Sequence, residues 1–137
     1  MKLLPVPPFD HGSALMKIQV MADRLKSRDA TRVVLACSTH SVWRDSHELL
    51  EGRDEIARFL DRKWLLEGNY RQVYEHWTYT DYSISVQFKC EWQHAKVGQW
   101  YRGISDEYWE FDADGYLTCR QVSSDDIPIS SDDRQIS

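Results

Sequence analysis

The sequence predicts an α+β domain, in which helices from the first half pack on the concave face of a curved, mostly antiparallel sheet. Apolar residues recur at helical spacing only in the first half of the chain, as far as Gly68. Beyond this glycine the period changes to two, and segments of alternating polarity follow, separated by short turns. Helices first and an antiparallel meander afterwards are typical of the α+β class, and a sheet curved around helices encloses a cone-shaped interior.

Three helices are predicted in the first half. A lead-in broken by prolines covers residues 1–12, and Ser13 is the expected N-cap of the first helix. The apolar stripe of that helix, at spacings of four, three and four, consists of Ala14, Ile18, Met21 and Leu25. A short helix is expected over 29–37, and the clearest helical pattern covers 52–69, with acidic residues in its first turn, where the helix dipole favours them.

The remaining elements are predicted to be strands. A short strand over 40–46 precedes the last helix. Alternating segments after Gly68 predict strands over 70–80, 82–94, 99–112 and 116–123. We therefore expect one domain, residues 13–128, followed by a polar, serine-rich and acidic C-terminal tail, residues 129–137.

Composition excludes several classes of function. The net charge is −5 and the basic residues are scattered, so nucleic acid is not an expected partner. No apolar run approaches the roughly 20 residues that span a bilayer, and the N-terminal run is too short for a signal peptide. Three cysteines without CxxC spacing indicate reduced thiols and a cytoplasmic location. Six tryptophans and seven tyrosines favour a cavity that binds a small molecule.

The stretch "SDEYWEFDADG", residues 105–115, places an acid on an aromatic face. Alternation along a strand puts Glu107, Trp109 and Phe111 on one side. If this side faces the interior, loss of solvent should raise the pKa of Glu107, and a neutral carboxylic acid can donate a proton or a hydrogen bond. The alternative is a Glu107 that pairs with Arg102 or Arg120 on a solvated strand.

Several motifs resemble a known superfamily. The segments "SVWRDS", "EGRDEIARFLDRKW" and "EYWEFDADGYL", in this order of elements, resemble the cystatin-like α+β barrel, or cone fold, of ketosteroid isomerase, scytalone dehydratase, SnoaL-type polyketide cyclases and nuclear transport factor two. "GQWYRGISDEYWEFDADG" followed by "DDIPI" resembles a largely uncharacterised SnoaL-like subgroup. The resemblance covers about residues 13–128 and is more specific for fold than for chemistry.

The resemblance also implies roles for individual residues. Asp45 occupies the position of the general base of ketosteroid isomerase, and Glu107 that of its neutral oxyanion-hole acid. Met21 stands where that enzyme has a second donor, a tyrosine, which argues against steroid-type isomerisation. A homodimer formed through the sheet, and catalysis without a cofactor, are further implications of the resemblance.

Aromatic residues are expected to line the cavity, although core packing is the alternative for each of them. The expected substrate-binding residues are Trp43, Phe59, Trp64, Trp77, Phe88, Trp92, Arg102, Trp109 and Phe111. Arg102 reaches the interior only if a bulge near Gly103 reverses the alternation of its strand. The histidines and cysteines have no compact ligand spacing such as HExxH, so no metal site is predicted.

The leading hypothesis is a cofactor-independent acid–base enzyme, an isomerase, dehydratase or cyclase, acting on a small apolar or aromatic metabolite. In this hypothesis Asp45 removes or relays a proton and Glu107 donates to the developing oxyanion. The first alternative is a non-catalytic domain that binds a small molecule in the same cavity. The second is a protein-interaction module that uses the convex face of the sheet, and it ranks last because that face is polar.

Overall fold

The computed structural model describes residues 1–136 and has the predicted α+β class, with a curled sheet that does not close. The helices are α1 (His11–Lys26), α2 (Ala30–Val34) and α3 (Gly52–Leu66). The strands are β1 (Cys37–Asp45), β2 (Glu48–Glu51), β3 (Glu67–Tyr79), β4 (Ser83–His94), β5 (Trp100–Phe111) and β6 (Leu117–Ile129). The sheet order is β2-β1-β6-β5-β4-β3, and β1 and β6 are parallel while the other neighbours are antiparallel.

Helix α1 begins earlier than the sequence predicts. Its N-cap is Asp10, whose carboxylate accepts a hydrogen bond from the Ser13 backbone N–H at 2.8 Å. The Ser13 hydroxyl accepts from the Asp10 backbone N–H at 2.9 Å, which completes a capping box. Ser13 therefore belongs to the first turn instead of preceding it, since its hydroxyl pairs back toward the cap.

The core lies between the helices and the concave face of the sheet. Buried side chains of α1 and α3 pack against the inward-facing residues of β4 and β5. Examples from these four elements are Ile18, Ile56, Leu60, Ile84, Phe88, Trp109 and Phe111. Each such side chain contributes roughly 1.5–3 kcal/mol when it leaves water, so this interface is the main stabilising contact of the domain.

A buried lysine joins the lead-in to the sheet. Lys17 on α1 is fully buried, and its ammonium group donates to the carbonyl oxygens of Leu3 at 2.8 Å and Gly115 at 2.7 Å. The ammonium group also lies 5.1 Å from the centre of the Phe111 ring. These contacts attach the N-terminal lead-in to the turn between β5 and β6.

The last strand is longer than the predicted 116–123, and β2 was not predicted. Strand β6 continues to Ile129 because its acidic, serine-rich end pairs in register with β5 from Trp100 to Ser105. Beyond β6, the backbone N–H groups of Gln135 and Ile136 donate to the Glu91 carboxylate. The end of the chain is therefore attached to the sheet by backbone hydrogen bonds, which no local hydrophobic pattern reveals.

Strand β5 is regular at Gly103, where the sequence allows a bulge. Cys90 of β4 lies directly opposite Gly103, and the pairing of these strands shows no shift from Trp100 to Glu110. A side chain at Gly103 would collide with the Asp126 carboxylate and would lie 2.9 Å from the Cys90 sulfur. The glycine thus allows close packing on the concave face, and Trp100 and Arg102 stay on the outer face.

Candidate functional site

A cavity of about 430 Å³ lies between the helices and the concave face of the sheet. Leu60 and Trp64 of α3 supply apolar wall, and Trp92 lies on β4. Charged side chains from four strands, β1, β3, β5 and β6, also border the cavity, including Asp45 and Glu107. The cavity therefore combines apolar surface with a cluster of buried charges, which is typical of small-molecule sites.

The charged cluster is centred on Arg120 of β6. Its Nε donates to Glu107 Oε1 on β5 at 2.7 Å, and its Nη1 lies 3.8 Å from Asp45 Oδ2 on β1. Pairing of β6 with both neighbours brings the three residues together, since Arg120 lies opposite Trp109 on β5 and Trp43 on β1. We call Asp45, Arg120 and Glu107 the carboxylate–guanidinium cluster.

Neighbouring aromatic rings hold this cluster in place. The Trp109 indole N–H donates to Glu107 Oε1 at 3.0 Å, and the Arg120 guanidinium lies 4.5 Å from the centre of the Trp43 ring. Burial by itself lowers the pKa of Arg120, but the Glu107 carboxylate, and then Asp45, more than offset this, so the net pKa is raised. Arg120 is therefore a permanent cation inside the domain.

The contacts of Glu107 differ from those of a neutral acid. Its Oε1 accepts from both Arg120 and Trp109, so this oxygen is an acceptor for two donors and not a donor to a ligand. Glu107 thus faces the interior, as the alternation along β5 predicts. It also forms the ion pair with Arg120 that the alternative prediction named, but this pair is buried and does not lie on a solvated strand.

Asp45 has more free hydrogen-bonding capacity than Glu107. Its contact with Arg120 is longer than a hydrogen bond, and the Ser46 hydroxyl lies 3.4 Å from its Oδ1. The residue is buried, with 9% of its surface exposed, and it borders the cavity. Asp45 is therefore a carboxylate next to a cation, with lone pairs available to a ligand.

Strand β3 brings a second polar group to the cavity. The Tyr70 hydroxyl donates to Gln72 Oε1 at 2.9 Å, and the Lys63 ammonium group lies 2.5 Å from Glu67 Oε2. Burial raises the pKa of Glu67 above its usual value, and Lys63 opposes this effect. Sequence patterns did not single out Tyr70 or Gln72, because bulges in β3 interrupt its alternation.

The structure separates the predicted substrate-binding residues into three groups. Only Trp64 and Trp92 of that set border the cavity. Five belong to the packed core, namely Trp43, Phe59, Phe88, Trp109 and Phe111, because the helices cover the inner face of the sheet at their positions. Trp77 packs at the edge of the same core, with its ring centre 4.8 Å from that of His11 on α1. Arg102 is paired with Glu91 on the outer face, at 2.9 Å.

Two further expectations concern hydrogen-bond donors and metals. Met21 is buried in the core, so helix α1 supplies no donor to the cavity at that position. Among residues 1–136, no group of three or more His, Cys, Asp or Glu side chains is arranged to hold a metal ion. No helix of the described part of the chain is long and apolar enough to cross a bilayer.

Comparison with protein families and curated proteins gives one match. The family model described as "Protein of unknown function (DUF1348)" matches residues 7–137. No curated protein matches the chain.

Solved structures show the same fold at low identity. A hypothetical protein with a ketosteroid isomerase-like fold from Catenulispora acidiphila, in complex with trimethylamine, has a TM-score of 0.71 and 8% identity, covering 78% of this chain and 83% of that one. An M. tuberculosis LEH-like epoxide hydrolase has a TM-score of 0.67 and 15% identity, covering 82% of each chain. A steroid delta-isomerase from Pseudomonas aeruginosa has a TM-score of 0.60 and 15% identity, covering 87% and 83%. These similarities show the cone fold of ketosteroid isomerase-like and nuclear transport factor two-like proteins.

Proposed function

Because the chain belongs to the DUF1348 family and has a ketosteroid isomerase-like cone fold, we propose that it is a cofactor-independent acid–base enzyme. Its substrate is a small organic molecule bound in the cavity, and its reaction is an isomerisation, dehydration or cyclisation. The observation that carries this proposal is the carboxylate–guanidinium cluster, in which an incompletely paired carboxylate borders the cavity beside a buried cation.

Asp45 is the proposed general base. A base must be ionised and must have a free lone pair within reach of the proton that it removes. The Arg120 guanidinium lies beside the Asp45 carboxylate without filling its hydrogen-bonding capacity. Arg120 alone would weaken Asp45 as a base, but Glu107 neutralises much of the positive charge of Arg120. The cluster as a whole carries one net negative charge.

Arg120 is the proposed donor to the developing oxyanion, in place of Glu107. A guanidinium has five N–H donors, and Nε is the one that Glu107 occupies. A fixed donor beside the base stabilises negative charge on oxygen as the proton leaves. Glu107 then acts as a positioning residue that orients Arg120, which revises the role of neutral proton donor expected from the resemblance.

The relatives support this class of chemistry without fixing the substrate. One is an epoxide hydrolase and another a steroid delta-isomerase, and both reactions move protons to or from oxygen or carbon. We therefore propose two probes, a cyclic β,γ-unsaturated ketone for isomerisation and a cyclic epoxide, whose hydrolysis instead would correct the proposed reaction to that of the hydrolase relative.

Replacement of the base tests the proposal. Asp45→Asn keeps the size of the side chain but removes its basicity, and we expect the rate of turnover to fall by about 10²–10⁴-fold. Asp61→Asn, at an exposed position on α3, is the matched control and should keep the wild-type rate. Wild-type activity in Asp45→Asn would refute the role of Asp45, since no other base is proposed.

A non-catalytic ligand-binding domain is the second candidate. It is favoured by the complex of one relative with trimethylamine and by the paired state of Glu107. Ligand binding by the wild-type protein, without turnover of either probe, would support this candidate over the enzyme.

We also propose a homodimer formed through the outer face of the sheet. This face has a shallow groove lined mainly by polar side chains, among them Gln87, Tyr108 and Gln121, which suits a hydrated interface between two copies. Sedimentation of the purified protein gives the oligomeric state, and a monomer that captures another protein would favour the interaction module.

We also propose a cytoplasmic location, which the three free cysteines support.

A further inference from the structure

Gln72 presents an unpaired hydrogen-bond donor at the cavity. The residue is 8% exposed and borders the cavity from strand β3. Among the residues that the structure describes, its Nε2 has no hydrogen-bond partner. A buried amide without a partner is costly, so a group that accepts a hydrogen bond from it stabilises the complex.

Tyr70 determines which end of the amide is free. Its hydroxyl donates to Gln72 Oε1 at 2.9 Å, which satisfies the acceptor end and leaves the amino end unpaired. Burial, followed by the nearby Cys90 thiol, raises the pKa of Tyr70 well above its usual 10, so the phenol keeps its proton at physiological pH. Gln72 therefore offers a donor to a ligand, not an acceptor.

Glu67 offers the complementary acceptor. Its Oε2 is paired with Lys63 at 2.5 Å, whereas its Oε1 is buried and has no partner within residues 1–136. The residue is 9% exposed and borders the same cavity. The lysine neutralises the charge of Glu67, so the free oxygen suits a neutral hydroxyl group better than a second cation.

The buried charges around the cavity are largely compensated. Arg120 faces two carboxylates, Asp45 and Glu107, and Lys63 is paired with Glu67. Further lining charges are Lys26, Arg28, Arg71 and Asp126. A charged ligand would lose its own hydration without gaining an unpaired buried counter-ion, and a neutral ligand avoids this cost.

We propose that Gln72 and Glu67 form a subsite that selects a neutral ligand carrying a carbonyl oxygen and a hydroxyl group. Gln72 Nε2 donates to the carbonyl, Glu67 Oε1 accepts from the hydroxyl, and the hydrocarbon part packs on Leu60 and Trp64. The inference rests on the proposed function only in that the cavity binds a ligand, and it holds for the enzyme and for the binding domain.

A set of probes of similar size tests the selection. We would titrate the protein at millimolar concentrations with 4-hydroxyacetophenone, acetophenone, 4-hydroxybenzoate and tyramine, using calorimetry and the ¹H–¹⁵N resonances of side-chain amides. We expect 4-hydroxyacetophenone to bind best, the anionic 4-hydroxybenzoate at least about tenfold more weakly, and the Gln72 amide resonance to shift on binding. Tighter binding of 4-hydroxybenzoate or tyramine would overturn the proposed selectivity.

Two variants assign the contacts. Gln72→Met keeps the length of the side chain and should weaken binding of 4-hydroxyacetophenone by about tenfold, whereas the control Gln19→Met, at an exposed position on α1, should not. Glu67→Gln should reduce the advantage of 4-hydroxyacetophenone over acetophenone. Thermal unfolding verifies that each variant is folded.

The remaining outcomes are also decisive. Unchanged affinity in Gln72→Met, or no binding of any probe together with an unmoved Gln72 resonance in the wild-type protein, overturns the proposal. The readout is binding, so it is independent of the catalytic hypothesis: if Asp45→Asn keeps wild-type turnover while Gln72→Met loses affinity, the acid–base roles are refuted and the subsite stands.

Discussion

The two faces of the sheet each carry a buried arginine–glutamate pair, and the pairs differ in how much hydrogen-bonding capacity they leave free. On the inner face, Arg120 donates to Glu107 through Nε, and a second carboxylate and a cavity lie beside the guanidinium. On the outer face, Arg102 donates to Glu91 through both Nε and Nη2, at 3.1 and 2.9 Å. The same residue types are thus used in two different ways.

The outer pair is saturated by the end of the chain. Glu91 accepts from the backbone N–H groups of Gln135, at 3.0 Å, and Ile136, at 2.7 Å, and Arg102 also donates to the Asp133 carbonyl oxygen. Within residues 1–136, no comparable set of backbone donors fills the inner cluster. A buried ion pair with all its partners therefore anchors the fold, whereas one with vacant donors and acceptors is available to a ligand.

Removal of Arg120 should have the largest effect. Arg120→Met leaves two buried carboxylates without their cation, and we expect a loss of about 3–5 kcal/mol in the free energy of unfolding. Urea unfolding measures this loss, and Arg120→Lys, which keeps the charge but not the planar donors, should recover part of it. Equal stability of Arg120→Met and the wild type would show that the inner cluster is not a coupled ion pair.

A change in the outer pair should have a smaller effect on stability and none on the cavity. Glu91→Gln removes the charge that Arg102 and two backbone N–H groups share, and we expect a cost of about 1–3 kcal/mol. Amide exchange of Gln135 and Ile136 should accelerate, while affinity for 4-hydroxyacetophenone should not change. A loss of that affinity would mean that the two faces are coupled.

Acid should have the same effect on the outer pair as Glu91→Gln. Burial alone would raise the pKa of Glu91, but the N–H groups of Ile136 and Gln135 and the Arg102 guanidinium lower it below its usual 4.5. The unfolded chain therefore binds a proton at Glu91 more readily than the folded protein does. The contribution of Glu91 to the free energy of unfolding is complete above pH 4.5 and is lost as the pH falls through the lower pKa of the folded state. In the wild-type protein, the protection of the Ile136 amide from hydrogen exchange should decrease over the same pH range. In Glu91→Gln this protection should not depend on pH in that range.

A separate pH effect concerns Lys17, a buried cation with no carboxylate at ion-pair distance among residues 1–136. Burial, and then the charge of Arg24, lower its pKa from 10.5 to about 8. The unfolded chain holds the proton more tightly, so stability should rise between pH 8 and 10.5 as the folded protein loses it. An NMR titration of Lys17 Nζ should have its midpoint near pH 8, and a midpoint near 10.5 would show that its two carbonyl partners outweigh desolvation.

The face of the sheet on which each arginine–glutamate pair lies could be predicted in part, from the alternation of side chains along the strands. The period of two in β4 and β5 correctly assigns Glu107 to the inner face and Arg102, absent a bulge, to the outer face. The fold class and the long helix α3 were predicted equally well, because both depend on local periodicity and end signals.

The centre of the site could not be predicted in this way. Arg120 meets Asp45 only through the parallel pairing of β1 with β6, two segments far apart in the chain, and local patterns contain no information on such pairing. The pairing of residues 124–129 with β5 could not be predicted for the same reason, since their partners on β5 lie far from them in the sequence. Gln72 was missed because bulges in β3 hide its face.

The parallel pairing of β1 with β6 also has a consequence for protein synthesis. The two carboxylates of the cluster are translated before Arg120, because β1 and β5 precede β6 in the chain. A nascent polypeptide whose β6 segment has not yet emerged from the ribosome lacks the residue that unites them. Such a chain has both acids but no cation between them, so the site can form only after β6 has been synthesised and has paired with β1 and β5.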